Sequence, residues 1–185
     1  MEVELKAEGK QARLNAMVAV TVAFLSVAGA ISNIKNSNIV QQMAFTKGNS
    51  VDVWNEYQAT RIKLHTDEDS LGSVGVWVGN DAARASETKR LQAKIKKYNA
   101  ESVQLKKQAE GEDGRYQELL LHHDQFDMAE ALGSVAISLA AVAALTDLFW
   151  LLCIGWGFGA CGLLMAIAGF AESNIHPDFL ARWLG

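Results

Sequence analysis

The chain has 185 residues and a net charge of −4, with 17 lysines and arginines against 21 aspartates and glutamates. An acidic chain lacks the basic footprint of a nucleic-acid-binding domain, and two cysteines are too few for a disulfide scaffold or a cysteine-based zinc module. The single proline and the scarcity of turn clusters argue against an all-β fold. Charges are absent from three long stretches, which predicts an all-α membrane protein with three transmembrane helices.

The first predicted transmembrane helix covers residues 14–34 and follows a polar N-terminal segment, residues 1–13. This uncharged run is long enough to cross a hydrocarbon core about 30 Å thick. Its apolar stretch also exceeds the roughly 7–15 residues typical of a signal-peptide core. We therefore expect a membrane anchor rather than a cleaved signal.

Residues 35–128 are polar and are predicted to form a long extramembrane helical hairpin, called the arm below, with its tip at about residues 67–80. Apolar residues recur at alternating spacings of three and four, which is typical of a coiled-coil seam. The predicted seam comprises Val53 and Tyr57 in the first half, and Leu91, Ile95, Tyr98, Leu105, Tyr116, Leu119 and Phe126 in the second half. An isolated amphipathic helix on the membrane surface is the alternative to a hairpin.

Glycines suggest where the arm helices are interrupted. Gly48 and Asn49 are predicted to interrupt the first half of the arm. Gly111 and Gly114 are predicted to kink or break the second half, since each helical glycine costs about 1 kcal/mol relative to alanine. The stretch from Asp67 to Asn80 is rich in glycine, serine and aspartate, which predicts a turn region. Four apolar residues within it are expected either to pack back on the arm or to dock a partner: Val74, Val76, Trp77 and Val78.

Two further transmembrane helices are predicted at residues 129–146 and 148–171, joined by a tight turn at Thr146-Asp147. The last of them contains a GxxxG pair that lets helix backbones approach closely in lipid. Its predicted helix-packing or oligomer-forming residues are Gly155, Gly159 and Gly162. The pattern is consistent both with packing of these glycines within one chain and with packing between protomers.

The C-terminal segment, residues 172–185, is expected to be an interfacial tail. Pro177 suits the first turn of a short helix, and Trp183 suits the depth of lipid headgroups. A disordered tail is the alternative.

Several blocks, taken in chain order, resemble those of an uncharacterised bacterial membrane-protein family, domain of unknown function 4337. These blocks are VAVTVAFLSVAGAIS, NIVQQM, DVWNEYQA, DQFDMAEAL and the glycine-rich last apolar run. Together they cover most of the chain, and the WxxYQA block beginning at Trp54 is the most distinctive. The resemblance implies this membrane architecture and carries no established activity.

The best candidate for a chemical site is a group of polar residues just before residue 131. His123, Asp127 and Glu130 share one helix face at spacings of four and three, as metal ligands on a helix do. An ordinary polar collar at the membrane boundary explains the same pattern, so we predict no metal and no cofactor. The sequence contains no P-loop, nucleophile elbow or HExxH motif, and we therefore predict that the protein is not an enzyme.

These features lead to two hypotheses for function. The first is a non-enzymatic scaffold that forms homo-oligomers or serves as an accessory subunit of a larger membrane complex. The alternative is a passive homo-oligomeric channel lined by residues such as Ser134 and Ser138. The expected partners are the lipid bilayer, further copies of the chain or the larger complex, and no nucleic acid.

The expected location is the bacterial inner membrane, where the protein crosses the bilayer several times. Lys6, Lys10 and Arg13 crowd the N-terminal flank of the first transmembrane helix. By the positive-inside rule, the N-terminus is then cytoplasmic and the arm periplasmic.

Overall fold

The computed structural model describes residues 2–77, 79–173 and 175. The secondary structure of these residues consists of three α-helices. Helix α1 is Glu2–Trp77, α2 is Asp81–Thr146 and α3 is Phe149–Phe170. No strand occurs in the part of the chain that is described, which confirms the all-α class. Each helix contains a stretch long and apolar enough to cross a membrane. The predicted helix beginning at Pro177 lies outside the described residues.

The predicted breaks in the arm helices were wrong. Gly48 and Asn49 lie inside α1, and Gly111 and Gly114 lie inside α2. A penalty of about 1 kcal/mol for each helical glycine is small beside the packing of the buried side chains on either side. The three glycines themselves lie on open faces, with no neighbour within 4 Å of an added Cβ.

The predicted turn region at residues 67–80 was also wrong over most of its length, because α1 continues to Trp77 and α2 begins at Asp81. The hydroxyls of Ser70 and Ser73 donate to carbonyls of the preceding helical turn, at 2.7 and 3.1 Å. Serines that suggested a turn are thus satisfied inside a helix. Asn80 caps α2, with its Oδ1 accepting the amide N–H of the second residue after it at 2.9 Å.

One compact unit consists of Met1–Gln42 and Glu118–Gly185, and thus contains the three apolar segments. A buried apolar cluster in this unit contains residues from all three helices: Leu14 and Val18 of α1, Ala140 and Ala143 of α2, and Leu152 of α3. The turn between α2 and α3 lies at Asp147, which has φ 55° and is one of the two residues of the predicted Thr146-Asp147 turn. The side chain of Gln11 donates a hydrogen bond to the Asp147 carboxylate at 3.1 Å.

The second compact unit, Met43–Gln117, consists of part of α1 and part of α2. Ser50 of α1 contacts Asp113 of α2, and Asp67, farther along α1, contacts Lys94, which lies earlier in α2. This order shows an antiparallel helical hairpin. Val53, Leu105 and Ala109 form its buried apolar cluster.

Candidate functional site

The glycines of α3 bring two helix backbones into direct contact. A Cβ added to Gly155 would lie 3.1 Å from the carbonyl oxygen of Ala136, and one added to Gly162 would lie 3.0 Å from that of Ala129. Backbone atoms cannot rotate away as a side chain can, so a larger residue would force α2 and α3 apart. Both glycines are buried.

Gly159 lies on the face of α3 that contacts α1. A Cβ at this position would stand 3.3 Å from the Leu25 side chain. The three glycines singled out by the sequence therefore pack within one chain and hold the three helices of the apolar unit together. Gly157, by contrast, has open space where its Cβ would be.

A fourth packed glycine, Gly169, was missed by the sequence analysis. A Cβ there would lie 2.9 Å from the ring of Phe126, which is 2% exposed. The same ring meets Phe170 edge-on, with 5.1 Å between centroids. Gly155, Gly162 and Gly169 recur every seven residues on α3, and this repeat was the signal that identifies the fourth glycine.

The segment after α3 is held by a fully buried amide. The Nε2 group of Gln125 donates to the carbonyl oxygens of Ser173 and Ile175, at 2.8 and 2.7 Å. Glu172 adopts φ 50°, and the Ser173 amide donates back to the carbonyl of Ala168 at 3.0 Å. This is a Schellman end to α3, fixed to α2 by one glutamine side chain.

Two of the three metal-ligand candidates join a hydrogen-bond network with α1. The Asn36 amide donates to the Asp127 carboxylate at 2.8 Å, and its oxygen lies 2.8 Å from His123 Nδ1. The amide oxygen is an acceptor here, so Nδ1 of the imidazole carries the proton. His123 Nε2 is 3.4 Å from the Asp127 carboxylate.

Glu130, the third candidate, is exposed and is absent from this network. Within the described ranges, no group of three histidine, cysteine, aspartate or glutamate side chains is placed to hold a metal ion. The arrangement instead serves to fasten α1 to α2, with Asn36 as the member that the sequence analysis did not identify.

The arm contains a polar junction centred on one carboxylate. Asp113 accepts a hydrogen bond from the Ser50 hydroxyl at 2.6 Å and another from the Trp54 indole N–H at 3.0 Å. These hydrogen bonds, that from Ser50 first and that from Trp54 second, lower the pKa of the Asp113 carboxyl below its ordinary value. Trp54 also packs edge-on against Tyr57, with 5.5 Å between ring centroids.

The model of a family described as domain of unknown function, DUF4337, matches residues 14–172. The chain belongs to the DUF4337 family. The match begins at Leu14, in the core of the apolar unit, and ends at Glu172 after α3. It therefore includes the packed glycines of α3, the Asn36 network and the Asp113 junction. No curated protein and no solved structure matches the chain. The family resemblance carried by blocks such as DVWNEYQA is confirmed.

The seam predicted for this DUF4337 chain divides into two groups in the structure. Its buried members are Val53, Leu91, Leu105 and Phe126. Its half-buried members are Tyr57, Ile95, Tyr98, Tyr116 and Leu119. Glu112 lies four residues before Tyr116 and so continues the spacing of the seam. Its buried Oε2 atom has no hydrogen-bond partner among the described residues.

The lowered pKa of Asp113 predicts acid sensitivity of the DUF4337 arm. A carboxyl whose pKa is depressed on folding stabilises the fold above its unfolded pKa, and this contribution is lost as the pH falls through the folded pKa. We expect thermal melts of the full chain, followed by circular dichroism from about pH 6 to about pH 3, to show a smaller fall in Tm for Asp113→Asn than for the wild type. The exposed control Asp52→Asn should behave as wild type, and an unchanged profile for Asp113→Asn would contradict this assignment.

Proposed function

We propose that this DUF4337 protein is a non-enzymatic membrane scaffold that assembles through its arm, either with further copies of itself or as an accessory subunit of a larger membrane complex. In this proposal residues 14–34, 129–146 and 148–171 cross the bacterial inner membrane. The arm, residues 35–128, lies outside the bilayer and forms the surface for assembly.

The placement in a membrane is supported by the outer surface of the apolar unit. Small residues occupy the interior, including Gly155, Gly162 and Ala136, whereas large apolar side chains face outward. These outward-facing residues include Val20, Phe24, Val27, Ile31, Leu164 and Ile167, each more than half exposed. Such a surface is unfavourable in water and suits lipid, where close helix packing depends on small residues.

The observation that carries the scaffold proposal is the incomplete burial of the seam in the arm. The side chains that the hairpin buries most completely include small or polar ones: Thr46, Ser50, Thr60, Ser102 and Ala109. The larger Tyr57, Ile95, Tyr98 and Tyr116 stay half-buried. Two helices can cover only one side of such residues, while a bundle of four covers both. A second hairpin, or an equivalent helical surface of a partner, would complete their burial.

Substitution of the half-buried seam tests this proposal. The double variant Ile95→Ser, Tyr98→Ser should lower the native mass of the extracted protein from an assembly to a single chain, because it removes apolar area from the proposed contact. The control pair Gln92→Ser, Lys96→Ser changes exposed positions of the same helix and should leave the assembly intact. Circular dichroism establishes that both variants remain helical, and an assembly that persists in the seam variant would contradict the proposed surface.

Orientation in the membrane is tested by thiol labelling. In a background without Cys153 and Cys161, single cysteines replace Ser70 in the arm and Glu8 near the N-terminus. An impermeant thiol reagent, applied to cells with a permeabilised outer membrane, should label position 70 and spare position 8, because the positive-inside rule holds the basic N-terminal flank in the cytoplasm. Labelling of position 8 alone would place the arm and its partners in the cytoplasm.

A further inference from the structure

A half-open groove of about 500 Å³ lies in the apolar unit, between α1, α2 and α3. This volume falls in the range of about 300–1,000 Å³ found for small-ligand sites. Its walls are formed largely by small residues, among them Gly29, Gly133 and Gly162. The groove therefore has an open apolar floor on which a slender ligand could lie.

Polar groups with unused hydrogen-bonding capacity line the same groove. Ser32 is only 7% exposed, and its hydroxyl makes no hydrogen bond to any described residue. Asn33 accepts the Ser37 hydroxyl through its oxygen at 3.4 Å, which leaves its amide N–H groups as donors. Glu130 contributes a carboxylate that has no cationic partner among the described side chains. The Ser32 hydroxyl, the Asn33 amide and the Glu130 carboxylate all line the groove with hydrogen-bonding capacity to spare. These groups point to a polar ligand.

The polar groups are concentrated where the apolar segments meet the arm. Asn33 lies at the end of the segment 14–34, and Glu130 at the start of the segment 129–146. Leu25 and Ile137, which line the groove farther along those segments, extend it toward the middle of the bilayer. This places the polar end at headgroup depth and the apolar floor at acyl-chain depth. A ligand at this depth rests on the proposed membrane insertion and is independent of assembly through the arm.

We propose that the groove binds one phospholipid with an ammonium headgroup, such as an ethanolamine phospholipid. The Glu130 carboxylate pairs with the ammonium group, and the Asn33 amide and the Ser32 hydroxyl donate to phosphate or ester oxygens of the lipid. One acyl chain lies on the glycine floor. The free carboxylate selects this ligand over an anionic lipid with a glycerol headgroup, which it would repel.

The test uses the full chain, delipidated in detergent and then mixed with micelles holding equal amounts of ethanolamine and glycerol phospholipids of identical acyl chains. Native mass spectrometry should show one ethanolamine phospholipid retained on each chain. Glu130→Gln should reduce that retention about tenfold and remove the preference between headgroups. The control variant Glu172→Gln removes a charge elsewhere in the same unit and should retain the lipid as the wild type does.

A second pair of variants tests the floor without disturbing the helix contacts. Both Gly29 and Gly157 have open space where a side chain would project, but only Gly29 lines the groove. Gly29→Leu should therefore abolish lipid retention, while Gly157→Leu should not. Equal retention of both lipids by the wild type would overturn the proposal. So would a Gly29→Leu variant that keeps its lipid and loses its assembly, since the groove would then hold a second copy of the chain.

Discussion

A single methyl group at position 162 is expected to destabilise the apolar unit, although the same group at position 157 is not. At Gly162 the new Cβ would lie 3.0 Å from the carbonyl oxygen of Ala129, and overpacking of this kind costs about 1–3 kcal/mol. At Gly157 nothing lies within 4 Å. The better helix propensity of alanine is then expected to leave the stability unchanged or to raise it by up to about 1 kcal/mol.

The measurement is the reversible unfolding of Gly162→Ala and Gly157→Ala in the same detergent, followed by helical circular dichroism. Gly155→Ala serves as a second test position, since its Cβ would meet the Ala136 carbonyl oxygen at 3.1 Å. Equal stabilities of the 157 and 162 variants would show that the backbones of α2 and α3 are farther apart than in this structure.

Among single truncations, Phe126→Ala is expected to lower the free energy of unfolding the most. Its ring is 2% exposed, packs on Gly169 and meets Phe170 edge-on. Phe126→Ala leaves a cavity between α2 and α3, and such truncations cost about 3–5 kcal/mol. Phe24→Ala is the matched control, because Phe24 belongs to the same unit and is 61% exposed. We expect this control to change the unfolding free energy by less than about 1 kcal/mol.

The specific contact with Gly169 can be isolated by a double-mutant cycle. Gly169→Ala should lower the free energy of unfolding in the wild-type background, because the new Cβ would lie 2.9 Å from the Phe126 ring. It should be tolerated when Phe126 is first shortened to alanine. If the double variant loses the sum of the unfolding free energies that the two single variants lose, the two residues do not contact each other.

The apolar runs and the absence of internal prolines were enough to predict the all-α class, and the GxxxG spacing was enough to predict that α3 glycines pack against a helix. The helix breaks predicted at Gly48, Gly111 and Gly114 failed for a common reason. A local preference of about 1 kcal/mol cannot end a helix when neighbouring residues on both sides are held by a continuous seam. Local composition therefore suggested more turns than the long helices contain.

The polar contacts between helices could not have been predicted in the same way. Asn36 meets Asp127 and Ser50 meets Asp113 across long stretches of chain. A seam shows which face of a helix is buried, but it does not fix the axial alignment of two helices. Gln125 lies beside the seam position of Phe126, and its role as a double donor to the end of α3 depends on where α3 stops.

The most direct test of the proposed function is the native mass of the wild-type chain, extracted gently from membranes in its own lipids. The scaffold proposal predicts a mass of at least two chains, or of one chain together with a stoichiometric partner. In that proposal a second helical surface covers half-buried residues such as Tyr98 and Tyr116. A single chain of 20.1 kDa without any copurifying protein, found at every protein concentration, would contradict it.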